Sequence, residues 1–178
     1  MAVVVGGSVN EPFLIEKTRI ELADPEVPES AQPFHEALDL PEREAARVVA
    51  RLSRLVSRTA DRSISELIER HRVAGHDLKR AGLVVGSVVD PATIKNDHIR
   101  AHAEEGKLFR VAADEAACRR GLTTSVTPEK KLYQAASKAL GLPEAELKRR
   151  VAELGRSASG SWKAEEKTAA IAAWMLLR

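Results

Sequence analysis

The spacing of apolar and polar positions changes several times along this chain, and each change marks an element. Ala2 to Val5 is a short apolar run ended by Gly6-Gly7-Ser8, the pattern of a buried strand. After the turn signal Asn10-Glu11-Pro12, the stretch Phe13 to Leu22 mixes Phe13, Ile15, Thr18, Ile20 and Leu22 with charged residues. This predicts a second strand with one solvated face, paired to the first as a hairpin. Ala23 to Pro41 holds Pro25, Pro28, Pro33 and Pro41 and is expected as a loop, or a loop with a short irregular edge strand. His35 lies within it and reads as a surface residue. From Pro41 the period becomes helical, through Ala45, Val48, Val49, Leu52, Leu55 and Val56. Asp61 or Ser63 is expected to cap a second helix carrying Ile64, Leu67 and Ile68, and Gly75 to end it.

The middle of the chain, Ala81 to Gly121, reads as strand, loop and long helix. Leu83-Val84-Val85 is the strand and Gly86-Ser87 ends it; Asp90-Pro91 marks a turn, and Asn96 or Asp97 can cap the helix that follows. Thr123 to Val126 is a further strand. Pro128 is expected to start a helix ended by Gly141, and Pro143 another through Leu154. Gly155 to Ser161 is a polar connection, and Trp162 to Leu177 predicts a last helix that is largely buried.

Composition narrows the class. With 178 residues, 44% hydrophobic and 30% charged, the chain is long enough for a real core and is neither disordered nor membrane-embedded in character. No apolar run approaches the ~20 residues of a spanning helix, and the first residues lack the basic leader of a signal peptide. A single domain over residues 1–178, without a membrane partner and in the cytoplasm, is the expectation. The net charge of +2 does not demand nucleic acid, and six aromatic residues are too few for a base-stacking platform. Arg47, Arg51, Arg54 and Arg58 are accounted for by a solvated helix face, while remaining compatible with nucleic acid. The single Cys118 excludes an internal disulfide and reads as a small buried hydrophobe.

Two places carry candidate chemistry. Both VVGGS and VVGS end a strand in glycine and serine, so Gly6, Gly7, Ser8, Gly86 and Ser87 are candidates to hold an anion on free amides. The plainer reading is a pair of tight turns. On the long helix, His98, His102 and Glu105 recur at one-turn spacing, which places two imidazoles and a carboxylate on one side as metal-ligand candidates. The spacing is not the H-E-x-x-H zinc motif, and an exposed His-Glu pair on a helix edge is the plainer reading. Ser87 beside His98 is the evident nucleophile-base pair for a small transferase or hydrolase, with no third group to orient it.

The order of elements resembles the RNase H-like superfamily, closest to its RuvC-type resolvase branch. The features that carry the resemblance are the mid-helix Gly106, the passage from Val126 to Lys131, and the alanine-rich tail from Ala164 to Trp174. The resemblance implies an α/β domain with a mixed five-stranded sheet in the order 3-2-1-4-5 and helices on both faces. It also implies carboxylates on the first strand, at the end of the fourth strand and on the last helix, gathered around Mg²⁺ or Mn²⁺. Here neither strand end carries an acid; Asp90, Glu165 and Glu166 are the nearest candidates, with His98 as a candidate base. The implied function is a catalytically degenerate RNase H-like domain acting by binding or self-association, with no cofactor assigned to it. A divergent nuclease using Mg²⁺ or Mn²⁺ is the alternative. Nucleic acid is the macromolecular partner such a fold suggests, and the apolar end Trp174 to Leu177 suggests a homo-oligomer. A half-thiolase likeness in the stretch from Gly75 to Ser87 ranks last, because Cys118 is not at a helix start.

Overall fold

A computed structural model describes all 178 residues. The chain is α/β. Its elements are β1 (Ala2–Gly7), β2 (Pro12–Thr18), α1 (Glu42–Val73), β3 (Arg80–Val85), α2 (Asp97–Arg119), β4 (Thr123–Pro128), α3 (Leu132–Leu140), α4 (Glu144–Leu154) and α5 (Ala164–Trp174). They form two compact units. The first gathers Met1–Ile20, Arg80–Gly86 and Thr123–Arg178; the second gathers Glu21–Lys79 and Ser87–Leu122.

The expected five-stranded mixed sheet does not form. Four strands make two separate pairs, β1 with β2 antiparallel and β3 with β4 parallel. The hairpin is the one the alternation predicts, with a register shift between Val4 and Val5. No edge strand forms in the proline-rich segment, which turns through a short 3-10 helix at Pro28–Ala31. There the buried Ser30 hydroxyl accepts the Asp24 N–H at 2.8 Å, so a side chain takes the place of a ladder partner. β1 and β3, expected side by side, belong to different sheets, and each packs against α5. Gly82 in β3 allows this: a Cβ there would lie 3.1 Å from the Ala172 Cβ. Pro128 is the last residue of β4 rather than the start of a helix, as befits a residue with no N–H to donate.

The core of the first unit joins three helices. Leu132 and Ala136 of α3, Leu147, Val151 and Leu154 of α4, and Ile171, Ala172 and Trp174 of α5 are buried together, with Val84 of β3 packed against them. Both indoles keep their polar edge satisfied: Trp174 Nε1 donates to the Val9 carbonyl at 2.8 Å and Trp162 Nε1 to the Val151 carbonyl at 3.0 Å. Gly141 ends α3 in the left-handed region at φ 67°. Glu166, on the first turn of α5, accepts the Lys163 N–H at 2.9 Å.

In the second unit α1 packs against α2, with Val56, Ala60 and Ala112 buried beside Leu22, Leu108 and Phe109. The predicted break near Asp61 is absent, and α1 runs unbroken for 32 residues. Asp61 does not cap: its carboxylate pairs with Arg119 and Arg120, each at 3.1 Å, and the Ser65 hydroxyl donates back to the Asp61 carbonyl at 2.6 Å. Cys118, expected to be buried, is exposed. It falls one position past the buried alanine stripe of Ala112, Ala113, Ala116 and Ala117, with Sγ 4.0 Å from an Asp114 carboxylate oxygen. No helix is long and apolar enough to cross a membrane.

Candidate metal centre

The second unit contains a histidine cluster built from one helix and one loop. Asn96 caps α2, its Oδ1 accepting the Ile99 N–H at 2.9 Å, so the first turns are well formed where His98 and His102 emerge. Glu105, one turn on, is buried. A buried carboxylate is costly unless fully bonded, and this one is met by the loop. The backbone N–H groups of Phe34 and His35 both donate to Glu105 Oε1 at 3.2 Å. His35 Nδ1 lies 2.8 Å from Oε1 and 2.9 Å from Oε2.

That contact fixes the tautomer of His35. A carboxylate only accepts, so Nδ1 carries a proton, and in the neutral ring the lone pair is on Nε2. Nε2 is buried and has no hydrogen-bond partner. The His35 side chain is 12% exposed, so this nitrogen cannot simply turn to solvent. What it has for neighbours are two more imidazoles. The His35 ring centroid is 4.2 Å from that of His102 and 4.6 Å from that of His98, and the latter two are 4.8 Å apart. One ring nitrogen from each of the three lies within 4.8 Å of the others. A tetrahedral zinc ion with Zn–N bonds of about 2.05 Å needs nitrogens about 3.3 Å apart. The exposed His98 and His102 are free to close that difference by rotating about their side-chain bonds.

A carboxylate behind one imidazole, holding its far nitrogen outward, is the arrangement that orients metal-ligating histidines. Glu105 therefore plays a different part from the ligand its spacing suggested: it orients His35 and anchors the loop. It also lies 3.8 Å from His102 Nδ1, beyond hydrogen-bond range. His35 itself, read from sequence as a surface loop residue, is largely buried and central to the cluster. The other two histidines, His71 and His76, form a separate pair with Nδ1 atoms 3.3 Å apart.

The remaining sequence candidates lie elsewhere. Gly6 and Gly7 close β1, Gly7 at φ 92°, and Ser8 Oγ accepts the Glu11 N–H at 3.2 Å, which is the geometry of a hairpin turn. Gly86 ends one piece of the first unit and Ser87 begins a piece of the second. The Ser87 hydroxyl accepts the Val89 N–H at 3.1 Å. Asp90 caps the short 3-10 helix Pro91–Thr93 through the Ala92 N–H. Glu165 is exposed on the first turn of α5. Glu166, beside it, has its carboxyl held below the ordinary range by hydrogen bonds from its own backbone N–H and that of Lys163, against the opposing effect of burial.

No protein-family model, no curated protein and no solved structure matches the chain.

Proposed function

We propose that this protein binds one divalent transition-metal ion of the zinc class through His35, His98 and His102, and that the ion activates water for hydrolysis. The observation that carries the reading is the buried, partnerless Nε2 of His35, its opposite nitrogen fixed by Glu105, in a cluster with two further imidazoles. Imidazole nitrogens suit zinc and its neighbours, whereas Mg²⁺ and Mn²⁺ favour oxygen. Three histidines leave a fourth position for water, the ligand count of catalytic rather than structural zinc sites. An ion held by His35, His98 and His102 would act as a Lewis acid and supply a water-derived nucleophile near neutral pH.

This reading replaces carboxylate-bound Mg²⁺ or Mn²⁺ as the metal chemistry expected of the chain. The case for a degenerate RNase H-like domain drew on missing acids at two adjacent strand ends. β1 and β3 are not adjacent, so those missing acids no longer bear on the reaction.

The test is zinc titration of untagged protein against a chromophoric chelator, with Co²⁺ absorption reporting ligand geometry. One ion per chain, with tetrahedral Co²⁺ bands lost in His35→Gln, His98→Gln and His102→Gln, is expected. Unchanged affinity in His35→Gln would overturn the site. Stoichiometric binding without zinc-dependent cleavage of p-nitrophenyl esters or phosphodiesters would remove the hydrolytic half.

A further inference from the structure

The outer face of α1 carries an arginine stripe that the metal centre does not use. Arg43, Arg47, Arg51, Arg54, Arg58 and Arg62 follow one another at spacings of three or four residues, and all six are exposed. At 3.6 residues per turn they fall within an arc of about 100°. The buried residues of the helix, Leu52, Val56, Thr59, Ala60, Ile64 and His71, lie on the opposite side. None of the six guanidinium groups pairs with an acid, although Arg72, Arg119 and Arg120 in the same unit do. Between Glu44 and Asp61 the helix contains four arginines and no acid. Two acids share that arc: Asp61 is already held by Arg119 and Arg120, and Glu44, on the first turn, makes no ion pair with Arg43 or Arg47. The chain as a whole is nearly neutral, at +2, so this is a concentration of charge on one face rather than a general basicity.

Unpaired arginines at this density repel one another along the helix. The arrangement costs stability unless an anion lies across it. The stripe runs about 28 Å from Arg43 to Arg62, at 1.5 Å per residue, so the matching anion is an extended one. Its C-terminal end borders a surface groove of about 570 Å³ where Arg58, Arg62, Arg119 and Arg120 outnumber the acids Asp61 and Glu66, with Ser57 and Ser65 between them.

We propose that this face of α1 docks double-stranded DNA through its phosphate backbone. Arginine's planar fork suits phosphate oxygens. α1 contains no phenylalanine, tyrosine or tryptophan, so it offers no stacking platform for a single strand. Its exposed face carries no large apolar residue before Val73, so it lacks the wedge with which an amphipathic helix enters a lipid surface. The B-form major groove admits a helix, whereas the major groove of an RNA duplex is too deep and narrow. The inference stands on α1 alone and does not depend on the metal reading.

The experiment is fluorescence anisotropy with a labelled 24-base-pair DNA of arbitrary sequence, across a salt series, using the full chain. Six phosphate contacts give a slope of log K against log salt of about −5, and the variant Arg47→Gln/Arg51→Gln/Arg54→Gln/Arg58→Gln is expected to reduce it to about −2. Its affinity near 100 mM salt should fall at least about tenfold. Circular dichroism and the urea midpoint check that the variant is folded, and these exposed positions leave both nearly unchanged. Lys130→Gln/Lys131→Gln, which removes two charges from the first unit, is expected to bind DNA as the parent does. An equal loss in that control, an unaltered slope in the arginine variant, or binding to phosphatidylserine vesicles or duplex RNA in preference to DNA would each overturn the proposal.

Discussion

Replacing Glu105 by glutamine separates the two things that its carboxylate does. Oε1 accepts the Phe34 and His35 amides at 3.2 Å, and a glutamine carbonyl at the same place continues to accept both. The loop therefore stays anchored, and the metal-free protein should lose no more than about 1 kcal/mol, the ordinary worth of an altered hydrogen bond. The other oxygen, 2.9 Å from His35 Nδ1, becomes an NH₂ group. That N–H competes for Nδ1 with the carbonyl at the Oε1 position, which stands 2.8 Å away and still accepts the Nδ1 proton, so the hold on the metal-binding tautomer is weakened. The negative charge that raises ligand basicity is lost as well. Loss of such a partner costs 10- to 100-fold in metal affinity, or about 1.4–2.7 kcal/mol. Glu105→Ala, by contrast, strands two backbone donors and the imidazole, at about 1–3 kcal/mol each where they are shielded from water. It should weaken folding and metal binding together. Chelator competition for zinc affinity and urea denaturation in EDTA measure the two effects separately. Zinc binding by Glu105→Gln within twofold of the parent, at equal stability, would show that Glu105 orients no ligand.

Two further predictions concern the first unit. Trp174 is fully buried and bonded to the Val9 carbonyl, so Trp174→Ala should cost about 3–5 kcal/mol, read as a fall in the urea midpoint. Glu166 has its carboxyl lowered from an ordinary 4.5 by the backbone N–H groups around it. Its stabilising contribution is therefore complete above about pH 4.5 and is lost as pH falls through the lower folded-state value. Glu166→Ala should flatten that acid limb of the stability profile, and an unchanged limb in pH-dependent denaturation would refute the assignment.

Features governed by near neighbours were legible in the sequence. The hairpin, the Asn96 cap, the Gly141 stop and the β3 run each depend on residues within a few positions, and each is found. Features settled by distant partners were not. Asp61 has the chemistry of a helix cap, but arginines 58 and 59 positions away bind its carboxylate, and α1 continues through it. Strand number followed the same rule: pairing is a property of two segments, and β1 and β3 each found α5 instead of one another. At the metal centre the spacing of His98, His102 and Glu105 was visible because it is helical. His35 lies 70 residues before Glu105 and nothing in its proline-rich surroundings marks it. The one available signal was chemical scarcity: with five histidines in 178 residues, a third was worth seeking for any pair already on one helix face.

The division of the chain between its two units has a consequence for the order of assembly. Every residue of the second unit has been made once Leu122 is added, so α1, α2 and the His35 loop can come together while the rest is still being synthesised. The N-terminal hairpin cannot complete its packing then. The indole that bonds Val9 is 165 residues away, on the last helix. Closing contacts over such separations is slow, because the entropy of the intervening chain is lost before any contact repays it. A nascent chain halted after α2 would thus carry a complete histidine cluster and an unshielded hairpin. The site described here would be the early-maturing part of the molecule, and the β1–α5 closure its last step.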